Sequence, residues 1–274
     1  MKKIGFVDYY LNEWHANNYP AWFRDANEKL GLDWELTYAW AELPADPAGN
    51  CTSEQWCLDH GVTLCDTLEE LCEKSDAILI LAPSDPDRHL PYVRTVFPYG
   101  KPTYVDKTFA ESTEVAKEIF ALSEQYGTPF FSTSALRYAE ELHVFDKEIS
   151  ALIITGGGSN LPEYLIHMVE MAVILLKDPV AEASMLKQGR QRICRVTTVH
   201  GKQLSLIYSE KMSYVISAEY ADGTGRQKSV KSAFFPILIE EILKFYESKA
   251  LPFDPAQTLE CMRMRDAILA CEDL

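Results

Sequence analysis

The sequence predicts an α/β fold class, with a doubly wound parallel sheet followed by an α+β domain whose sheet is mostly antiparallel. Three observations carry this. Through about residue 130, short apolar runs alternate with amphipathic stretches of helical period, which is the pattern of βαβ crossovers. The run Asp76-Ala-Ile-Leu-Ile-Leu-Ala82 is apolar without alternation, as a central parallel strand covered on both faces must be. Beyond Leu176 the runs alternate in polarity and are parted by turn signals, the mark of antiparallel hairpins.

In chain order, strands are expected at Lys3–Val7, Trp34–Trp40, Val62–Cys65, Ala77–Ala82, Pro102–Val105 and Pro129–Ser132. Helices fill the gaps at Trp14–Leu30, Ser53–His60, Leu68–Lys74, Arg88–Phe97 and Thr113–Tyr126. In the second half a helix over Leu161–Leu176 precedes strands at Ala181–Lys187, Ile193–His200, Gln203–Tyr208 and Tyr214–Tyr220. His200-Gly201-Lys202 and Ala221-Asp222-Gly223-Thr224 read as turns, the Asp-Gly pair being the sharper signal. Amphipathic helices over Ala233–Ser248 and Ala256–Cys271 close the chain. The domain boundary is expected near Thr133–Tyr138, giving a Rossmann-like domain over 1–133 and an α+β domain over 134–274.

Composition narrows the function classes. The 274 residues carry a net charge of −15, with 47% hydrophobic and 24% charged residues. This is a globular composition, and its negative field opposes nucleic acid and anionic membrane surfaces as partners. Seven cysteines are scattered without a CxxC pair or a histidine pair at zinc spacing, so no metal site is expected. Met-Lys-Lys runs straight into a strand, with no apolar leader core, and no apolar run is long enough to cross a bilayer. A reducing cytoplasm is the expected setting.

Ligands of doubly wound sheets bind outside the carboxyl ends of the strands. That rule selects Asp8–Glu13, Ala41–Glu42, Ala82–His89, Asp106–Thr108 and Ser132–Tyr138. Ser84 or Asp85 is suited to capping the following helix, with Pro86 in its first turn. Asp106 and Lys107 would be placed to hold a ribose and a substrate hydroxyl. In the second half, Glu163 and His167 are four apart and so share a helix face, with Cβ atoms about 6 Å apart. An unperturbed histidine titrates near neutrality, which would suit His167 to general acid or base work. The triple glycine Gly156–Gly158 suggests a phosphate loop, but a turn between strand and helix explains it well enough.

Taken in order, Pro83…His89, Lys101-Pro102, Asp106-Lys107-Thr108 and Ser134-Ala135-Leu136-Arg137-Tyr138 resemble the motifs of the Gfo/Idh/MocA dehydrogenases, over nearly the whole chain. The resemblance implies an NAD(P)-dependent oxidoreductase acting on a secondary hydroxyl of a sugar, polyol or related small metabolite, or on the corresponding carbonyl. It implies Lys107 and His167 as proton carriers, and Glu163 as their companion in the catalytic set. Asp8, Asn12, His15, Glu42, Pro83, Ser84, His89, Asp106 and Lys107 would line the cofactor cleft. Glu42 is consistent with a carboxylate on a ribose diol, and so with NAD over NADP. Relatives often pair through the second-domain sheet, which implies a homo-oligomer. Asp106 and Thr108 depart from the family's Glu-Lys-Pro, and Glu163 stands where aspartate is more usual.

The largest departure lies at the first turn. A dinucleotide pyrophosphate meets a glycine-rich turn in this fold, because side chains there block backbone approach. This chain has Asp8-Tyr9-Tyr10-Leu11-Asn12-Glu13 instead. Two outcomes follow from that stretch. The cofactor takes a shifted pose aided by Asn12, His15, Asn17 and Asn18, or the loop fills the site and leaves a non-catalytic sugar-binding or regulatory protein.

Overall fold

The computed structural model describes residues 1–271, which divide into two compact units. The first comprises Met1–Thr133 and Pro236–Asp254, the second Ser134–Phe235 and Pro255 onward.

The first unit is built on six parallel strands: β1 (Lys2–Asp8), β2 (Trp34–Ala41), β3 (Thr63–Leu64), β4 (Ala77–Ile80), β5 (Thr103–Val105) and β6 (Phe130–Ser132). Their order is β3-β2-β1-β4-β5-β6, so the sheet reverses direction of growth beside β1. The helices α1 (Trp14–Leu30), α2 (Ser53–His60), α3 (Leu68–Lys74), α4 (His89–Val96) and α5 (Thr113–Tyr126) make the crossovers. The apolar run of β4 is buried throughout, as are Ile4, Phe6 and Val7 of β1. Gly5 serves packing: a Cβ there would lie 2.5 Å from both Leu71 Cδ2 and Ser75 Oγ of the neighbouring helix segment. Of the two residues expected to cap the stretch after β4, Asp85 does not do so. A 3-10 turn over Pro86–Arg88 leads directly into α4, and Asp85 before it makes no side-chain cap bond.

The helix α7 (Phe234–Ser248) returns the chain to this unit from Pro236 onward. Its Tyr246 hydroxyl donates to the Ile78 carbonyl at 2.8 Å, and its Phe245 ring meets Phe131 at 5.0 Å. Glu247 accepts from Lys2 Nζ and from the Trp34 indole. A predominantly apolar helix finds its cover where the sheet offers aromatic rings.

The second unit holds a mixed sheet of β7 (Ile149–Gly156), β8 (Val180–Gln188), β9 (Gln191–Thr198), β10 (Gln203–Tyr208), β11 (Val215–Tyr220) and β12 (Gly225–Ser229). The order is β12-β11-β7-β10-β9-β8, and only the β7–β10 pair is parallel. Neither β7 nor β12 is among the strands expected from sequence. β7 is central, and its Ala151-Leu-Ile-Ile-Thr155 core was overshadowed by the glycines after it. β12 is exposed along its whole length, so it carries no apolar signal. The helices α6 (Leu161–Leu176) and α8 (Ala256–Leu269) pack in this unit, where Glu260 of α8 accepts from the Val180 amide.

The triple glycine is a packing device. A Cβ on Gly157 would meet three backbone carbonyls at 2.6–2.7 Å, and one on Gly158 (φ +150°) would lie 1.9 Å from the Tyr164 ring. Tyr214 and Tyr208 donate to the carbonyls of Gly157 and Gly158.

Candidate active site

At the carboxyl end of the parallel sheet, Asp8 ends β1 with 1% of its surface exposed. Its Oδ1 accepts from the amides of Tyr9 (2.7 Å) and Ala82 (3.0 Å), while Oδ2 is buried without a hydrogen-bond partner. Burial, reinforced by the charge of Glu13, pushes the Asp8 carboxyl well above the usual carboxylate range against the pull of those two amides.

The following loop is held in place by its own side chains and backbone. The carbonyls of Asp8 and Tyr9 accept from Glu42 and Leu43, prolonging the pairing of β1 with β2. Leu11 enters the core with 1% exposure. Asn12 donates to Asp46 (3.1 Å), and Asn17 both donates to Asn12 and accepts from the Trp56 indole.

Glu13 is the N-cap of α1. Its Oε2 accepts from the His15 amide at 2.8 Å and its Oε1 from the Ala16 amide. The first amides of a helix are the groups that bind phosphate in such folds, and here a carboxylate of the chain itself sits on them. Burial raises the Glu13 carboxyl, while His15 and the two amides offset part of that rise.

His15, on the first turn of α1, reaches back to Asp106 after β5. Its Nδ1 is hydrogen-bonded to Asp106 Oδ2, and its ring stacks on Tyr19 at 5.2 Å. The Tyr104 hydroxyl lies 3.0 Å from the other Asp106 oxygen. Burial drives the Asp106 carboxyl upward, yet the charge and hydrogen bond of His15, with Lys107 adding to them, leave it below its ordinary value. Lys107 is 7% exposed, and its Nζ donates to the Pro83 carbonyl at 3.1 Å. Pro83 and Ser84 follow Ala82, which adopts the left-handed conformation at φ 56°. Thus His15 pairs with Asp106 and Lys107 with Pro83 at the strand ends of one sheet, and Asp8 holds the Ala82 amide next in the chain to Pro83.

Two predicted cofactor residues have other partners. Glu42 accepts from Arg88 (3.0 Å) and the Tyr92 hydroxyl (2.8 Å), and the Arg88 guanidinium covers the Tyr9 ring at 4.7 Å. His89 is fully buried, with Nδ1 3.0 Å from the Phe109 carbonyl and Nε2 2.6 Å from the Leu81 carbonyl. Burial holds its pKa down, against the opposing effect of those carbonyls. Its place is in the support of the strand-end backbone.

In the second unit, His167 is 8% exposed. Its Nδ1 lies 2.7 Å from Ser134 Oγ, and the rings of Tyr164 and Tyr214 meet it edge-on. Glu163 takes part in the cap of α6: its amide donates to Asn160 Oδ1 (2.9 Å) and its carboxylate accepts from Asn160 Nδ2 (3.0 Å). Sequence reasoning missed the buried pair beside this helix, in which Arg137 Nε donates to Glu170 Oε1 at 2.6 Å. Its signal was a glutamate on the apolar face of α6, seven residues beyond Glu163. No group of three or more His, Cys, Asp and Glu side chains among the described residues could hold a metal ion.

No family model matches this chain, and no curated protein matches it. Solved structures do. The myo-inositol dehydrogenase of Lactobacillus casei, in complex with NAD(H) and myo-inositol, superposes with a TM-score of 0.80 at 10% identity, covering 99% of this chain and 94% of the other. GenD2 from gentamicin A biosynthesis, in complex with NAD, gives 0.78 at 10% identity over 100% and 95%. The UDP-N-acetylglucosamine 3-dehydrogenase GnnA of Acidithiobacillus ferrooxidans gives 0.76 at 12% identity over 99% and 98%. The fold is that of the Gfo/Idh/MocA dehydrogenases.

Set in the Gfo/Idh/MocA fold, the β1–α1 turn does not fit a dinucleotide as it stands. Glu13 occupies the α1 amides, Leu11 is locked in the core, and Arg88 with Tyr92 engages the carboxylate after β2. At the Lys107 end of the sheet the side-chain nitrogen donates to the Pro83 carbonyl beside a buried carboxylate.

Proposed function

We propose that this protein is an NAD(P)-linked oxidoreductase acting on a secondary hydroxyl, or the corresponding carbonyl, of a sugar, polyol or related small metabolite. The observation that carries the reading is Lys107, a buried ammonium held by the Pro83 carbonyl next to Asp106 at the strand ends of a Gfo/Idh/MocA fold. Burying a lysine side chain is costly unless its nitrogen is hydrogen-bonded, and at a strand end the same nitrogen is placed to exchange a proton with a substrate hydroxyl. His167 is the proposed proton carrier of the second unit, oriented through Ser134. Glu163 is proposed to set the entry of α6 through Asn160 and to offer its carboxylate to substrate hydroxyls. The neighbouring structures carry NAD(H) or NAD by their own descriptions, which supports a nicotinamide dinucleotide here.

All five tryptophans, Trp14, Trp22, Trp34, Trp40 and Trp56, lie in the first unit. Titration with NADH and NADPH, read by energy transfer from tryptophan to the nicotinamide, therefore tests the cofactor directly. With a polyol panel, Lys107→Ala is expected to lower kcat/KM by roughly 10²–10⁴-fold, the usual range for a general acid–base group, at little cost in melting temperature. Unchanged kcat/KM in Lys107→Ala would remove the role assigned to it.

A second reading, a non-catalytic sugar-binding or regulatory protein, is favoured by one specific observation: Glu13 on the α1 amides. It predicts saturable sugar binding with no dinucleotide binding at any concentration. A homo-oligomer through the second-unit sheet is also proposed, supported by the exposed Ile153 and Leu186 on its strands. Sedimentation velocity gives the subunit count. The seven cysteines, none of them in a disulfide, fit a reducing, cytoplasmic setting.

A further inference from the structure

We propose that Glu13 is a built-in occupant of the anion site at the start of α1, and that a dinucleotide pyrophosphate binds only by displacing it. The inference rests on the proposed function solely in naming a dinucleotide as the ligand.

Three observations carry it. The two carboxylate oxygens of Glu13 each take one of the first α1 amides, those of His15 and Ala16. Two oxygens of one anion on successive amides is also the arrangement a phosphate makes at a helix start. The amides are thus functional as an anion site, and their present guest is covalently attached. The second observation is Asp8, whose buried Oδ2 has no hydrogen-bond partner at the strand end that opens this loop. Burial favours its neutral form, and a neutral carboxyl donates to an anion's oxygen rather than repelling it. The chain leaves that valence open. The third is the fixed backbone on either side of the guest. Leu11 is anchored in the core, and Asp8 and Tyr9 are tied to Glu42 and Leu43. Only the Glu13 side chain need rotate for the amides to become free.

An attached carboxylate competes at high effective concentration, so removing it should strengthen anion binding at this site and nowhere else. The test compares the wild-type chain with Glu13→Ala and Glu13→Gln, using inorganic pyrophosphate and ADP as probes in titration calorimetry. Glu28→Ala, which removes an exposed acid from the same helix, controls for net charge. Expected results are a tenfold or greater tightening of both probes in Glu13→Ala. A smaller tightening in the same direction is expected in Glu13→Gln, which keeps part of the cap, and no change in Glu28→Ala. The melting temperature lost in Glu13→Ala should return on adding pyrophosphate.

Equal affinity in wild type and Glu13→Ala overturns the inference, as does equal tightening in Glu28→Ala. If Glu13→Ala does not fold, unchanged affinity in Glu13→Gln overturns it instead. Failure of the oxidoreductase reading looks different: no polyol or sugar turns over in any variant, whatever pyrophosphate does.

Discussion

Asp8 and Asp106 are both about 1% exposed at strand ends of one sheet, yet their surroundings drive them in opposite directions. Asp106 has a histidine, a lysine and a tyrosine hydroxyl about it. Asp8 has two backbone amides, a nearby Glu13 and one unpartnered oxygen. The pH consequences differ in sign. The depressed Asp106 contributes stability that is present above its unfolded value and lost as pH falls through its folded one. The raised Asp8 does the reverse: the native state holds its proton longer than the unfolded chain, so stability falls as pH rises from the unfolded value to the folded one. Asp8→Asn keeps an oxygen for the amides of Tyr9 and Ala82 and cannot ionise, so the cost of holding the native carboxyl protonated disappears. It is therefore expected to raise stability at neutral pH by about 1–3 kcal/mol, or roughly 2–4 °C per kcal/mol. The gain should shrink on acidification. Thermal melts of both proteins across pH 4 to 8 check this, and a lower melting temperature for the variant at neutral pH would contradict it.

At the scale of single elements, helix starts were legible where a polar residue precedes an apolar period. Thr52, Thr67, Ser112 and Asn160 each cap their helix by a side-chain oxygen. Glu13 does the same at α1, but glutamate is an uncommon cap and gave no signal. β7 was missed beside the glycines that end it, and β12 because an exposed edge strand needs no apolar residues. The glycine run shows how contact decides the meaning of a motif. Gly158→Ala would drive a Cβ into the Tyr164 ring and is expected to destabilise by about 3 kcal/mol or more. Gly189→Ala, also at positive φ (59°) but with open space around it, should lose only about 1–2 kcal/mol. Denaturant midpoints for the two variants measure the difference, and equal losses would show that backbone strain alone sets the cost.

For the whole molecule, the order of units along the chain is not the order of their parts. The segment 236–254 is read in sequence as part of the second half, and it completes the first unit. A fragment ending at Thr133 lacks the Tyr246 bond to Ile78 and the Phe245 cover on Phe131. It is expected to show no cooperative thermal transition on its own. A fusion that restores 236–254 should regain one, as followed by near-ultraviolet circular dichroism. A cooperative melt of the bare 1–133 fragment would show that its sheet needs no such cover.

By itself the sequence determined the alternation of strands and helices, the two-part architecture and the strand ends at which to look for chemistry. Each of these depends on local periodicity and on turn residues, which act over a few positions. The tertiary structure alone decided what those residues touch. His15 is a partner of Asp106, Glu42 of Arg88 and Tyr92, and Glu13 of the helix amides. Pairings between residues dozens of positions apart depend on how the sheet is ordered and how closely its loops approach. The glycine-free turn was visible in the sequence as an absence, and only the folded chain shows the carboxylate that fills it.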